Sequence, residues 1–132
     1  MAKLQHVAIV VRDPQQAAAF YQYVFGMKIM EQSDTVCSVS DGNVSLLFFR
    51  TSSQELLGKE YDLNYQGLHH IGFKVDDFEH TARRIDEAGY KARDDLNQAV
   101  AAIVGPHAKS VEHKYRGPAD VTFDISEKGW PL

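Results

Sequence analysis

The sequence predicts an α+β fold in which two βαβββ units in tandem form an open, cup-shaped, eight-stranded mixed sheet with the helices outside. Three observations carry this. Leu4–Asp13 aligns without gaps on Leu68–Asp77, and self-similarity of this kind marks a duplicated structural unit. Each copy then changes from a short β-branched, apolar run to a helical periodicity. After each helix come short strand-like runs, separated by turn residues. One four-stranded unit alone could not bury both faces of its sheet, and two side by side solve that problem.

Each element has its own local cause. The repeated segments share Leu4 and Leu68, His6 and His70, Val11 and Val75, and Asp13 and Asp77; each reads as a strand buried on at least one face. Asp13 followed by Pro14 is a helix start, because the carboxylate accepts orphan amide hydrogens and proline suits the first helical position. The first helix, Pro14 to Phe25, is expected to bury Ala17, Phe20, Tyr21 and Val24. The second, Phe78 to Ala88, comes after Asp77 and is expected to bury Phe78, Ala82, Ile85 and Ala88. Gly26 and Gly89 stand where a left-handed residue stops a helix. Strands are then expected at Lys28–Gln32, Thr35–Ser40 and Val44–Arg50, with Asp41-Gly42-Asn43 as a tight turn. The second half offers Lys91–Arg93, Val100–Val104, Val111–Tyr115 and Val121–Ser126, the last three separated by Gly105-Pro106 and Gly117-Pro118. The whole chain, 1–132, reads as one domain: a first module over about 1–50, a polar linker or cleft-covering loop over about 51–67, and a second module over about 68–132.

Composition narrows the function. The 132 residues are 44% hydrophobic and 24% charged, with a formal charge of −4, ordinary for a globular domain. Without a basic stripe to neutralise phosphates, nucleic acid is not an expected partner. No apolar run approaches the ~20 residues needed to cross a bilayer, and no signal-peptide pattern opens the chain, so a cytoplasmic location is expected and a membrane is not. Cys37 is the only cysteine and reads as a small buried thiol.

The repeat places His6 and His70 at equivalent points, and a pseudo-twofold between the units would bring their side chains together. Neutral imidazole suits zinc, iron, manganese or nickel. His69, one residue along, is expected on the opposite face and not as a ligand. In Val121–Ser126, strand alternation turns Val121, Phe123 and Ile125 toward the helices and Thr122, Asp124 and Ser126 into the cup. Asp124 therefore offers anionic oxygen for a divalent ion. Candidate substrate contacts are Phe49, on one face with Ser45 and Leu47, and His113 and Tyr115, expected to line the cup with Arg116 as an anion clamp. Trp130 is a candidate either to close the cup or to pack at a dimer contact.

The opening His-Val-Ala-Ile-Val-Val-Arg-Asp, the second His-Ile-Gly-Phe-Lys-Val-Asp-Asp and the closing Arg116-Gly117-Pro118…Phe123-Asp124-Ile125-Ser126 resemble the corresponding stretches of the glyoxalase, or vicinal oxygen chelate, superfamily. The resemblance implies paired βαβββ modules and a metal held by one residue opening each module and one on each module's last strand. Carried onto this chain, those positions are His6, Leu47, His70 and Asp124. Leucine cannot coordinate, so the expected set is two histidines and one carboxylate, a facial triad that leaves positions open. The resemblance thus implies a metal-dependent enzyme of lyase or isomerase type, acting on a small molecule that chelates the ion through vicinal oxygens, with the metal-bound carboxylate of Asp124 as the candidate catalytic base. The alternatives are an extradiol-type Fe(II) dioxygenase and a metal-free binder like the bleomycin-resistance proteins. A homodimer is implied as well.

Overall fold

The computed structural model describes residues 1–103 and 112–132. One eight-stranded sheet has the order β2-β3-β4-β1-β5-β8-β7-β6. Its strands are β1 (Lys3–Val10), β2 (Lys28–Gln32), β3 (Val36–Ser40), β4 (Ser45–Phe49), β5 (Gly67–Lys74), β6 (Lys91–Ala92), β7 (His113–Arg116) and β8 (Thr122–Ser126). Four helices accompany them: α1 (Pro14–Phe25), α2 (Gln54–Leu57), α3 (Phe78–Glu87) and α4 (Asp94–Ile103). The order reads the same from either end when the two halves are exchanged, with antiparallel β1 and β5 at the centre.

The duplication extends to register. In the parallel pair β1·β4, Ala8 stands opposite Leu47; in β5·β8, Gly72 stands opposite Asp124. Ala8 and Gly72 are equivalent in the repeat, so Leu47 and Asp124 occupy equivalent backbone positions. Each half packs its own apolar cluster: Ala18, Cys37, Val39 and Phe48 in the first, and Val75, Tyr115 and Ile125 in the second. Burial of a side chain such as Phe48 is worth about 1.5–3 kcal/mol.

The first helix begins and ends as the caps predict. The Asp13 carboxylate accepts from the Gln16 amide, and Gly26 closes the helix with φ +69°. Its buried face differs from expectation. Ala18 is fully buried with Ala17 and Tyr21 packed nearby, while Phe20 and Val24 are about half exposed. In α3, Phe78 and Ile85 reach the second cluster but Ala88 is exposed.

Two larger corrections fall around the second module. The expected strand over Val100–Val104 belongs, as far as it is described, to α4; Val104 and Val111 lie outside the described residues. Asp94 and Asp95 favour a helix N-terminus, alanines favour the interior, and Leu96 and Ala99 recur at helical spacing. This helix also completes the sheet edge. The Asn97 side chain donates to the Lys114 carbonyl at 3.0 Å, which the Arg93 amide also reaches at 2.8 Å, and accepts from the Lys114 amide at 2.8 Å. The linker holds α2, capped by the Ser53 hydroxyl, and buries Leu57.

Candidate metal centre

His6 on β1, His70 on β5 and Asp124 on β8 meet at the centre of the sheet. Their register places them together: His6 pairs with Gly72, Ala8 with His70, and Gly72 with Asp124. All three are buried, Asp124 completely. His6 Nε2 lies 3.3 Å from His70 Nε2, and His70 Nε2 lies 3.1 Å from Asp124 Oδ2. Glu112 joins them, and one potential ligand atom from each of the four lies within 4.8 Å of the others. Such a His/Glu/Asp cluster could hold a divalent metal.

A hydrogen-bond chain fixes which nitrogen of His70 is free. The Leu57 carbonyl, which can only accept, is 2.6 Å from His69 Nε2, so His69 Nε2 carries the hydrogen. Burial, then the neighbouring His70, push His69 down to about 4; a neutral ring with a hydrogen on Nε2 has an acceptor at Nδ1. His70 Nδ1, 2.8 Å away, must therefore donate. Burial lowers His70 as well, so its Nε2 is an unprotonated lone pair aimed at Asp124 and His6. A lone pair 3.1 Å from a carboxylate oxygen is repulsive unless a cation lies between them.

The other donors fit a cation too. Neither Asp124 oxygen receives an aligned hydrogen bond, and His6 Nδ1 is buried without a partner. Burial, and secondarily His70, hold His6 down to about 3, so its ring is neutral and able to ligate. Burial alone would raise Asp124, but chiefly the Lys114 ammonium, 3.0 Å from Oδ1, keeps it well below its usual range. Lys114 is itself raised: burial opposes its charge, and Asp124 and Glu112 more than compensate. Burial and the Asp124 charge push Glu112 up to about 7.

His69 occupies its position for an unexpected reason. The register between β1 and β5 shifts between Ala8 opposite His70 and Ile9 opposite Leu68, leaving His69 in a bulge. The bulge brings its ring beside His70 rather than across the sheet. It lies outside the four-residue cluster, with its nitrogens on His70 and Leu57.

The remaining candidates divide. Phe49 packs edge-on to His69 with centroids 5.3 Å apart. Tyr115 is a correction: it sits in the apolar cluster with Val75 and Ile125, stacked on Phe123. His113 lies edge-on to Tyr115 and to Phe78 of α3. The alternation of β7 thus runs opposite to expectation, and Glu112 and Lys114 are what it turns to the cup. Lys114 stands directly opposite Asp124 in the β7·β8 pair, a relation that would have identified it had the register been known. Arg116 is 3.5 Å from Glu60 and 3.9 Å from Asp120, and it lines a cleft of about 590 Å³ with Lys59, Lys91 and Arg93. Val121 falls outside β8 and is 40% exposed, whereas Ile125 faces the helix-side cluster as expected.

The family model of the glyoxalase/bleomycin resistance protein/dioxygenase superfamily matches residues 3–102, and the chain belongs to that superfamily. No curated protein matches it in sequence. Among solved structures, a hypothetical protein of Bacillus halodurans is 16% identical, with a TM-score of 0.65 over 99% of this chain and 97% of that one. Methylmalonyl-CoA epimerase from Mycobacterium tuberculosis is 19% identical, with a TM-score of 0.62 over 98% of this chain and 89% of its own. A Streptomyces coelicolor methylmalonyl-CoA epimerase variant, in complex with 2-nitronate-propionyl-CoA, is 17% identical with a TM-score of 0.62 over 98% of each chain. At these identities the likeness establishes the fold.

Proposed function

We propose that this chain is a metal-dependent enzyme of lyase or isomerase type, acting on a small molecule that presents two adjacent oxygens. His6, His70 and Asp124 are the proposed ligands, with Glu112 as a fourth donor replacing the carboxylate position lost at Leu47. The observation that carries this is the chain from the Leu57 carbonyl through His69, which leaves His70 Nε2 as a lone pair beside the Asp124 carboxylate. Bound there, zinc, iron, manganese or nickel would supply Lewis acidity toward a developing oxyanion. Asp124 and Glu112, both on the second module, are the groups placed to take and return a proton. Lys114 keeps Asp124 ionised. The Leu47 and Phe49 side is apolar and suits a hydrocarbon part of the substrate, while His113 and Tyr115 support the second module from behind. Arg116, with Lys59 and Lys91, offers a place for an anionic tail. The structural neighbours that carry CoA esters are consistent with a substrate of that size.

Two other readings have their own support. Two histidines and one carboxylate also suit ferrous iron and an extradiol-type dioxygenase. A metal-free binder is supported by the Lys114 ammonium, an internal cation already 3.0 Å from Asp124. We further infer a homodimer, supported by exposed Phe20, Tyr23, Val24 and Phe25 on α1. A reducing, cytoplasmic setting suits the one buried free thiol, Cys37.

The test is metal content by elemental mass spectrometry on untagged protein, wild type beside His70→Ala and Asp124→Ala. Near-stoichiometric metal in the wild type and its loss in both variants supports the reading. A wild type that stays metal-free after reconstitution with zinc, manganese, nickel and ferrous iron overturns it in favour of the binder.

A further inference from the structure

The two histidines of the centre are held in place by different means, and only His70 has its second ring nitrogen, Nδ1, anchored by a hydrogen bond. His70 is oriented by His69 and the Leu57 carbonyl. His6 Nδ1, by contrast, is buried with no hydrogen-bond partner, although a ligating histidine ordinarily has its second nitrogen anchored by an acceptor. Against His6 lies Trp130. The two rings are parallel to within 1°, with centroids 4.5 Å apart.

The segment carrying Trp130 is itself fixed. The Gly129 amide donates to the Ser126 hydroxyl, and the Trp130 amide donates to the side-chain oxygen of buried Gln5 at 3.0 Å. Ser126 ends β8 and Gln5 precedes His6 on β1, so the tail is tied to two of the three strands that supply ligands. Room for the ring exists because residue 72 is glycine: a Cβ there would stand 2.6 Å from the Trp130 ring and 2.9 Å from the His6 Cβ.

We propose that Trp130 is a positioning residue for the metal centre, its face orienting His6 by stacking, with Gly72 as the gap that admits it. This rests on the proposed metal site, but its first test does not. The side-chain resonances of His6 lie over the indole face, so they are shifted upfield by its ring current. In Trp130→Leu that shift disappears, and in Trp130→Phe it persists in reduced form. Gly72→Ala pushes the indole away and reproduces the Trp130→Leu spectrum.

The second test is zinc affinity by competition with a chromophoric chelator. Loss of an orienting partner weakens metal binding about 10–100-fold. Trp130→Leu and Gly72→Ala are expected in that range, and Trp130→Phe, which keeps a smaller stacking face, between them and wild type. Trp130 is the only tryptophan, so zinc should also change the emission of the wild type and leave His6→Ala unchanged. Far-UV circular dichroism and the remaining amide resonances establish that each variant is folded. A folded Trp130→Leu that retains the His6 shifts and binds zinc within twofold of wild type overturns the proposal. Wild-type protein that binds no zinc but shows the ring-current shift overturns the metal reading, and with it the metal part of this one, while leaving the orientation of His6 by Trp130 intact.

Discussion

The two halves of the cup share one backbone pattern and carry opposite chemistry. On the first module, Leu47 stands across from Ser38 on β3; on the second, Asp124 stands across from Lys114 on β7. The first half presents Ser38, Ser40, Ser45, Leu47 and Phe49. The second presents a buried carboxylate, a buried ammonium and the carboxyl of Glu112. Duplication therefore fixed where side chains converge, and divergence of one half left the buried carboxylate–ammonium pair on one side only. The cup therefore has a polar end and an apolar end with no symmetry between them.

The sharpest way to break this comparison is at its equivalent positions. Asp124→Ala leaves the Lys114 ammonium buried without its main partner, and removing one member of such a pair costs about 3–5 kcal/mol. Thermal and denaturant unfolding of the metal-free protein would measure it. The reverse change, Leu47→Glu, restores a carboxylate at the equivalent register. It should destabilise the metal-free protein, because the new charge has no partner, and raise manganese affinity at least about tenfold by adding a ligand. Unaltered affinity would show that the two halves do not face one common centre.

A smaller effect is expected at His69. His69→Ala leaves the Leu57 carbonyl without its donor, at about 1–3 kcal/mol, and frees His70 to take the other tautomer, weakening metal binding about 10–100-fold. Nitrogen-15 chemical shifts of the His70 ring would report the tautomer directly, and a ring that keeps its Nδ1 hydrogen in the variant would refute the chain.

The smallest effect is expected at the outer edges. Arg93, buried near β6, is held by Glu60 at 2.7 Å and Asp95 at 2.9 Å. Partial burial works against both carboxylates, but Arg93 holds Glu60 below its ordinary 4.5, and the Arg93 hydrogen bond leads in holding Asp95 below 3.8. Carboxyls depressed in the folded state contribute stability above their unfolded values and lose it as pH falls through the folded ones. Acid should thus loosen β6 and β7 before β2 and β3, whose edge packs on an apolar cluster. Hydrogen exchange followed as pH falls below the ordinary 4.5 and 3.8 of these carboxyls would show the order, and simultaneous loosening would count against it.

Much of this was legible in the residues. The repeat, Asp13-Pro14, the glycine at position 26 and the Asp41-Gly42-Asn43 turn locate the modules, because caps and turns are local chemistry. His6 and His70 were legible from symmetry, and Asp124 from strand alternation. The misreadings arose where pairing intervened. Val100 to Val104 has the composition of a strand, but Asn97 had to reach the backbone of Lys114 before a helix could finish that edge. Tyr115 and Lys114 alternate equally well in either sense, and only the β7·β8 register assigns one to the core and the other to the cup. In α1, periodicity identified a helix but set its buried face too far toward Phe20 and Val24.

The sequence by itself determined the duplicated α+β architecture, the start and stop of the principal helices, and three residues of the candidate centre, since these depend on local propensity and on repetition. Tertiary structure decided what surrounds those residues. The bulge at His69, the seat of Trp130 against His6, and the entry of Glu112 and Lys114 depend on strand register and chain reversal. Contacts between residues far apart in the chain are set by packing, and a one-residue change in register reverses which side chains face the cup.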